Sequence, residues 1–191
     1  MKFLFICGSL EEGKDGVGDY TRRLCGALIR KGHWVEILSL CDYHVSSLVK
    51  QTQIIEQTPI VVRRIPKNTS YKQRLVWAQE NVDELAPDWI SLQFVLYSFH
   101  PKGLPYWLEG FLKQLKGKHQ WQFMFHELWV GRNKNDTNKN RIVSYLQQIL
   151  IKKLLKGINP SAINTHLPIF RDNLKEMGYT AHQLPLFSNV V

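Results

Sequence analysis

Cysteine is scarce in this 191-residue sequence, at three residues: Cys7, Cys25 and Cys41. Their number is odd and no two stand at CxxC spacing, which argues against a disulfide framework or a cysteine zinc site. They read as buried small apolar residues in a reducing compartment. No window approaches the ~18 uncharged apolar residues of a spanning helix. The apolar N-terminus is short and runs directly into Glu11, Glu12 and Lys14, so no signal peptide is read. The chain is expected to be soluble and cytoplasmic, at most peripheral to the inner face of a membrane. Acidic residues are also in deficit, 16 against 25 Lys and Arg, for a net charge of +9. That balance favours anionic partners without saying which. There is no helix-turn-helix, zinc-finger or RNP-like motif, and the aromatics do not interleave with a basic stripe, so nucleic acid is not expected among the partners.

What is present is a succession of short apolar runs and longer helical patterns. Residues 3–7, 34–40, 60–65, 88–94, 122–125, 161–165 and 182–186 read as strands. Between them, helical spacing marks a helix from about Asp19 to Gly32, then 70–85, 104–115, 141–156 and a helix ending at Met177. This alternation predicts an α/β domain of Rossmann type: three layers, with a mostly parallel sheet of about seven strands covered on both faces. The length suits a single domain over 1–191. In such sheets ligands lie beyond the carboxyl ends of the strands. Four unusual loops fall there: the glycine loop after the first strand, YSFHPKG, HELWVG and PLFSN.

The glycine loop admits three readings. Gly8-Ser-Leu-Glu-Glu-Gly13-Lys14 matches a P-loop, but Asp15 stands where Ser or Thr would hold magnesium, two glutamates sit inside the cradle, and Gly16 and Gly18 would weaken a helix starting there. Gly16-Val17-Gly18 begins a dinucleotide fingerprint, but Thr21 replaces its third glycine and only Asp42 is placed to meet a ribose. The third reading takes Gly13 to Gly18 as a long loop, with Asp19 capping the helix or favouring its dipole. Arg22 and Arg23 then lie on the outer side, Leu24, Ala27 and Leu28 pack on the sheet, and Gly32 closes the helix with a left-handed cap.

This third pattern resembles the start of family-4 glycosyltransferases of GT-B architecture, through Asp15-Gly16-Val17-Gly18-Asp19-Tyr20 and Gly32-His33-Trp34-Val35. Three further segments agree in order: Leu92-Gln93-Phe94 through Phe99-His100-Pro101-Lys102-Gly103-Leu104-Pro105, then Phe125-His126-Glu127-Leu128-Trp129, then Leu184-Pro185-Leu186-Phe187-Ser188-Asn189. The resemblance implies the acceptor-side N-terminal domain of a retaining, metal-independent hexosyltransferase with no cofactor. Its co-substrate would be a UDP- or GDP-sugar, and its acceptor a saccharide or a lipid-linked saccharide of the cell envelope. It implies that Gly16, Val17, Gly18, Asp19, Tyr97, His100 and Lys102 border the donor and acceptor cleft, with His126 and Glu127 as the catalytic pair. The family's second domain carries two glutamates at E-x7-E spacing, and no two glutamates here stand eight apart. The chain is therefore expected to be the acceptor half, with the donor half absent or supplied in trans.

Other readings stay beside this one. The same cleft could serve a catalytically silent module that binds a sugar or a partner. His33 reads as structural, His100 as a residue that could merely pin its loop, and Arg63-Arg64 and Lys152-Lys153 as solvated faces. Helix 141–156 carries Ile142, Val143, Leu146, Ile149, Leu150 and Leu154 on one side. It reads first as a core helix, with an anionic bilayer as the alternative surface.

Overall fold

The computed structural model of the chain describes residues 1–130 and 137–185. The element order is β1 (Lys2–Cys7), α1 (Gly16–Arg30), β2 (Trp34–Asp42), β3 (Val49–Ile55), β4 (Thr58–Pro66), α2 (Tyr71–Leu85) and β5 (Trp89–Phe94). It continues with α3 (Leu96–Phe99), α4 (Leu108–Leu112), β6 (Gln120–Phe125), α5 (Asn138–Ile158), β7 (Ala162–Thr165), α6 (Pro168–Glu176) and β8 (His182–Gln183). One sheet runs in the order β3-β4-β2-β1-β5-β6-β7-β8. Every pairing is parallel except β3 with β4. This is the expected Rossmann-like α/β domain. Parallel pairing needs crossovers that lay helices on the sheet, and the strand order reverses between β1 and β5.

The eighth strand is an addition to the expected seven. β3 is an edge strand with mostly exposed side chains, folded back on β4 through Glu56 and Gln57, both at positive φ (47° and 63°). Two left-handed residues are the mark of a type I′ hairpin turn. That turn normally declares itself by Asn-Gly or Asp-Gly, and neither is present. The 104–115 helical pattern also contracts. Only Leu108–Leu112 is helical, although Trp107, Leu108, Phe111, Leu112 and Leu115 do pack into the core as the spacing implied. Among the described residues no helix is long and apolar enough to cross a membrane.

Helices lie on both faces, as the three-layer expectation has it, but they cover the two faces unequally. Helices α2 to α6 place their apolar residues in a large core with Leu4, Ile6, Ile90, Leu92, Phe94, Phe123 and Phe125. On the opposite face α1 packs over Phe5, Cys7, Val35, Ile37, Ile60 and Val62. Its reach ends near β1, and the β5–β7 part of that face carries Trp89, Ser91, Gln93, Gln122, Met124 and Asn164 around a groove of about 200 Å³. Cys7, Cys25 and Cys41 are free and buried.

Several charged residues are not where the pattern put them. Arg22 is buried, and its guanidinium donates to the Leu10 carbonyl (3.0 Å) and pairs with Asp19. Arg63 and Arg64, read as solvated, are 5% and 6% exposed. Arg63 pairs with Glu84, which also holds Lys50 at 2.7 Å. Arg64 grips both oxygens of Asp42 (Nε to Oδ2 2.8 Å, Nη2 to Oδ1 3.0 Å) and reaches Glu11 at 2.6 Å. Both guanidiniums lie near the carboxyl end of an inner strand, where a charge is tolerated only with a carboxylate beside it.

Helix α5 is correspondingly offset. Ser144, Gln147, Ile151, Leu154 and Leu155 form its buried face, while Ile142 (62%), Tyr145 (65%) and Ile149 (44%) are exposed. Thr137 caps it and Asn159, left-handed at φ 52°, ends it. The polar loop before it falls partly outside the described residues, as does the end of the PLFSN segment from Leu186 onward.

Asp42 is fully buried. Burial is the largest influence on its carboxyl and pushes the pKa up, but the Arg64 guanidinium and the N–H groups of His44 and Leu10 carry it below the ordinary value. A depressed folded pKa adds stability above the unfolded value of ~3.9 and loses it as pH falls through the folded value. Asp42→Asn is expected to cost about 3 kcal/mol at pH 7, since Arg64 is left without its main partner. The difference from wild type should shrink below pH ~4; urea unfolding at pH 7 and pH 3 measures both.

Candidate functional site

The site begins with how the loop after β1 is held. Leu10 N–H donates to Asp42 Oδ2 (3.0 Å), the Gly8 carbonyl accepts from Cys41 N–H (2.9 Å), and Arg22 holds the Leu10 carbonyl. Two glycines allow the close approaches this requires. A Cβ on Gly8 would lie 2.4 Å from Ser98 Cβ, and one on Gly18 would lie 2.6 Å from the Ser9 carbonyl oxygen. Neither neighbour can give way, because one is a packed Cβ and the other is backbone.

Helix α1 starts at Gly16, not near Asp19 or Tyr20. The cap is Asp15, whose Oδ1 accepts from Gly18 N–H at 2.7 Å. Asp19, expected as the cap, turns instead to Arg22 and the Gly13 N–H (3.2 Å). The objection to a P-loop that rested on glycines in the first helical turn therefore falls, because Gly16 and Gly18 are in that turn. The stronger objection stands on geometry. The helix N-terminus, which would receive a phosphate, already receives the Asp15 carboxylate. Asp42 is likewise committed to Arg64, Leu10, Ser39 and His44, so it is not a free ribose partner.

Beyond the carboxyl ends of β1, β5, β6 and β7 these elements enclose an open cleft of about 500 Å³. The α1 side contributes Lys14, Asp15, Gly16, Val17 and Tyr20; the segment after β5 contributes Val95 and Ser98. His126 and Glu127 follow β6, and His166 follows β7. Of the residues read from the sequence, the structure brings Gly16, Val17, His126 and Glu127 to one lining. Gly18 is tucked beneath Ser9, and Asp19 faces a separate depression with Arg22 and Arg23. Tyr97 and Lys102 are exposed on the segment after β5, outside the lining. His100 pins that segment: its Nδ1 accepts from the N–H groups of Lys102 (3.2 Å) and Leu104 (3.3 Å).

His126 is the most constrained group in the cleft. Its backbone N–H donates to the Phe94 carbonyl (3.1 Å), its Nε2 lies 2.8 Å from Gln93 Oε1, and the Tyr20 ring meets it edge-on with centroids 5.0 Å apart. Burial, with the His166 ring 6.3 Å away, pushes its pKa down to about 4. Burial lowers His166 as well. Both imidazoles are therefore neutral near pH 7, able to donate from one nitrogen and accept on the other. Asp15 is shifted upward by burial, against the N–H bonds of Gly18 and Val17. Lys14 is the one Lys or Arg among the described residues of the lining. Neutral imidazoles, hydroxyls and carboxylates suit a ligand rich in hydroxyl groups better than one rich in phosphates.

Three participants escaped the sequence reading. His166 could have been found by the rule that located His126, since it directly follows a strand. Ser98 is inconspicuous in sequence and is revealed only by its packing on Gly8. Gln147, outside the apolar side expected for helix 141–156, is buried; it accepts from Val130 N–H (2.9 Å) and donates to the Gly103 carbonyl (3.1 Å). It thereby ties two of the strand-end loops to one helix.

No family model matches the sequence, and no curated protein does. Solved structures do match. An alpha-glucosyltransferase in complex with UDP-glucose and DNA containing an abasic site superposes with a TM-score of 0.53 at 13% identity, over 96% of this chain and 41% of that one. A structure of alpha-glucosyltransferase with UDP and a 13-mer DNA containing an HMU base gives 0.53 at 14% identity, over 98% and 42%. A third, an alpha-glucosyltransferase in complex with UDP, gives 0.53 at 14%, over 100% and 41%. The chain spans about two fifths of the length of the glucosyltransferase chains it matches. The fold is thus glycosyltransferase-like, a Rossmann-type domain.

The two glycines at the start of α1 are distinguishable by experiment. Gly18→Ala is expected to destabilise the protein by about 2 kcal/mol or more, because the added methyl meets backbone. Gly16→Ala has no heavy atom within 4 Å and should be neutral, or stabilising by up to about 1 kcal/mol. Paired chemical denaturation curves give both values.

Proposed function

We propose that this chain is the acceptor-side domain of a retaining, family-4-type glycosyltransferase. The complete enzyme would move a hexose from a UDP- or GDP-sugar to a hydroxyl of a saccharide or lipid-linked saccharide. The observation that carries the proposal is the lining of the strand-end cleft. Asp15, Tyr20, Ser98, His126, Glu127 and His166 form a hydroxyl-recognising set beside Lys14, the one Lys or Arg among the described residues of the lining. His126 and His166, neutral and side by side, would bind sugar hydroxyls and meet the charge that develops in transfer. A leaving diphosphate needs several cations or free N–H groups, and the helix N-terminus here is closed by Asp15. Donor affinity would therefore come from a second domain, in the same enzyme or in trans. Two of the similar glucosyltransferase structures contain DNA, so a nucleic-acid hydroxyl is the rival acceptor, and the net charge of +9 is compatible with it.

Thermal shift separates these readings. A panel of neutral oligosaccharides should contain members that raise the melting temperature, and His126→Ala should weaken their binding by at least tenfold, about 1.4 kcal/mol. UDP-glucose and GDP-mannose should give no comparable shift with this chain alone. A strong nucleotide-sugar shift would overturn the acceptor-side assignment, and a shift confined to DNA oligonucleotides would replace saccharide by nucleic acid. Transfer from radiolabelled nucleotide sugar, restored by a separate polypeptide carrying an E-x7-E domain, distinguishes a working half from a silent binding module.

A second reading, peripheral membrane contact, is favoured by one observation. Ile142, Tyr145 and Ile149 form an exposed stripe along the first half of α5, beside Lys139, Arg141 and Lys152. Apolar and basic side chains together suit an anionic bilayer surface. Co-sedimentation with vesicles containing anionic lipid at low salt is expected, and Ile142→Asp with Ile149→Asp should abolish it. Wild-type protein left wholly in the supernatant would remove this reading.

A further inference from the structure

Gln93 makes no approach to the cleft, yet its side chain is tied to the cleft's central residue. It lies on β5, is 1% exposed, and faces the β5–β7 part of the sheet that α1 does not cover. Its Oε1 meets His126 Nε2 at 2.8 Å, and its Nε2 donates to Ser91 Oγ at 2.7 Å. Ser91 Oγ donates in turn to Gln122 Oε1, and Gln122 Nε2 donates to Asn164 Oδ1 at 2.8 Å. Register explains the contact. Ser91 pairs with Gln122, Gln93 with Met124, and Met124 with Asn164, so these side chains share one face of three adjacent strands. Four polar residues in series on the inner strands of a parallel sheet are costly unless each donor meets an acceptor.

Such a chain has a direction. Each amide has a donor end and an acceptor end, and each can satisfy its neighbour in only two concerted arrangements. In the observed one, all donors point from His126 toward Asn164. Gln93 then offers an oxygen to the ring, which must answer with Nε2–H. The opposite polarity would need Gln93, Ser91, Gln122 and Asn164 to turn together, and would leave Nε2 as acceptor with the proton on Nδ1.

We propose that Gln93 is a positioning residue that fixes His126 as the neutral Nε2–H tautomer, so that Nδ1 carries the lone pair. A histidine used to accept a hydrogen bond from a hydroxyl must keep one nitrogen unprotonated, and a second partner on the other nitrogen is the usual way to ensure it. Among the described residues, no other side chain is hydrogen-bonded to the ring. Tyr20 of α1 meets it edge-on, and His166 after β7 stands 6.3 Å away between ring centres. Asp15 and Lys14 before α1, and the adjacent Glu127, are the charged groups among the described residues that line the same cleft. The low pKa of His126, about 4, agrees with a ring held neutral. The proposed tautomer rests on the direction of this hydrogen-bond chain; its use in sugar recognition rests on the glycosyltransferase reading above.

Nitrogen-15 spectra of the imidazoles of the whole chain test this, with His126 assigned by its absence in His126→Phe. Wild type is expected to show His126 as a single Nε2–H tautomer through neutral pH, titrating near pH 4. Gln93→Leu should give a mixture of tautomers. Gln93→Glu should keep Nε2–H and raise the midpoint by about one pH unit or more, because a carboxylate favours the charged ring. A wild-type Nδ1–H tautomer, or a tautomer unchanged in Gln93→Leu, would overturn the proposal. If Gln93→Leu does not fold, the wild-type and Gln93→Glu spectra decide it. Oligosaccharide affinity separates the two levels. If saccharides fail to bind while the tautomer is as described, the sugar reading falls and the lock stands. If saccharides bind with His126 free to change tautomer, the lock falls and the sugar reading stands.

Discussion

The cleft depends on one buried carboxylate. Asp42, at the end of β2, holds Arg64 from β4 through two bonds, receives Leu10 N–H from the loop after β1, and accepts from Ser39 and His44. Glu11, in that same loop, accepts from the Arg64 Nη2 that also donates to Asp42 Oδ1. A charge in this position is stable only because every lone pair is used, and that saturation gives the clamp its rigidity. The loop is thereby fixed at its base, Asp15 is carried to the start of α1, and Gly16 and Val17 are presented to the open space beyond the strands. Loss of the clamp would release the loop and the α1 wall of the cleft together.

The opposite wall is organised by the same principle with neutral groups. His126 hangs from the end of β6 on a backbone bond to Phe94 and a side-chain bond to Gln93. The residues that stabilise it extend away from the cleft across the sheet, while Gln147 braces the two neighbouring loops. Polar side chains on inner strands would be expensive in isolation, and here each satisfies the next. The large apolar core on the other face lets the sheet carry this chain. Phe94, Phe123 and Phe125 supply the burial that Ser91, Gln93 and Gln122 do not.

The fold was legible wherever period and punctuation agreed. The runs at Phe3–Cys7, Trp34–Leu40 and Asp88–Phe94 became inner parallel strands, the helix bounded by Ser70 lay close to its expected limits, and α1 ended where Gly32 placed its close. Failure came where a local signal was missing or pointed elsewhere. Glu56-Gln57 makes a turn that usually needs Asn or Gly, so β3 went unseen. Pro105 lies just upstream of the shortened α4. Asp15, not Asp19, caps α1: both are good capping residues, and which one is used shows only when Asp15 is seen to accept from Gly18 N–H and Asp19 to pair with Arg22. Of the candidate site, His126, Glu127, Gly16 and Val17 could be placed from strand ends and a glycine loop. His166 was within reach of the same strand-end rule, whereas Ser98 and the Gln93 chain could not be singled out, because one serine or glutamine reads like any other until a neighbour is known.

By itself, then, the sequence determined the alternation of strands and helices, the parallel sheet this implies, and the edge of that sheet where a ligand can sit. These follow from periodicities of two and 3.6 residues and from glycine and proline, which act over a few positions. Only the tertiary structure decided which charges are buried, which side of α5 faces water, which histidines share a cleft, and in which direction the hydrogen bonds from His126 run. Those outcomes depend on pairs far apart in the chain, such as Asp42 with Arg64 and Gln93 with His126. The cost of burying a polar group is set by the partner it finds, and that partner is not written in its neighbours along the chain.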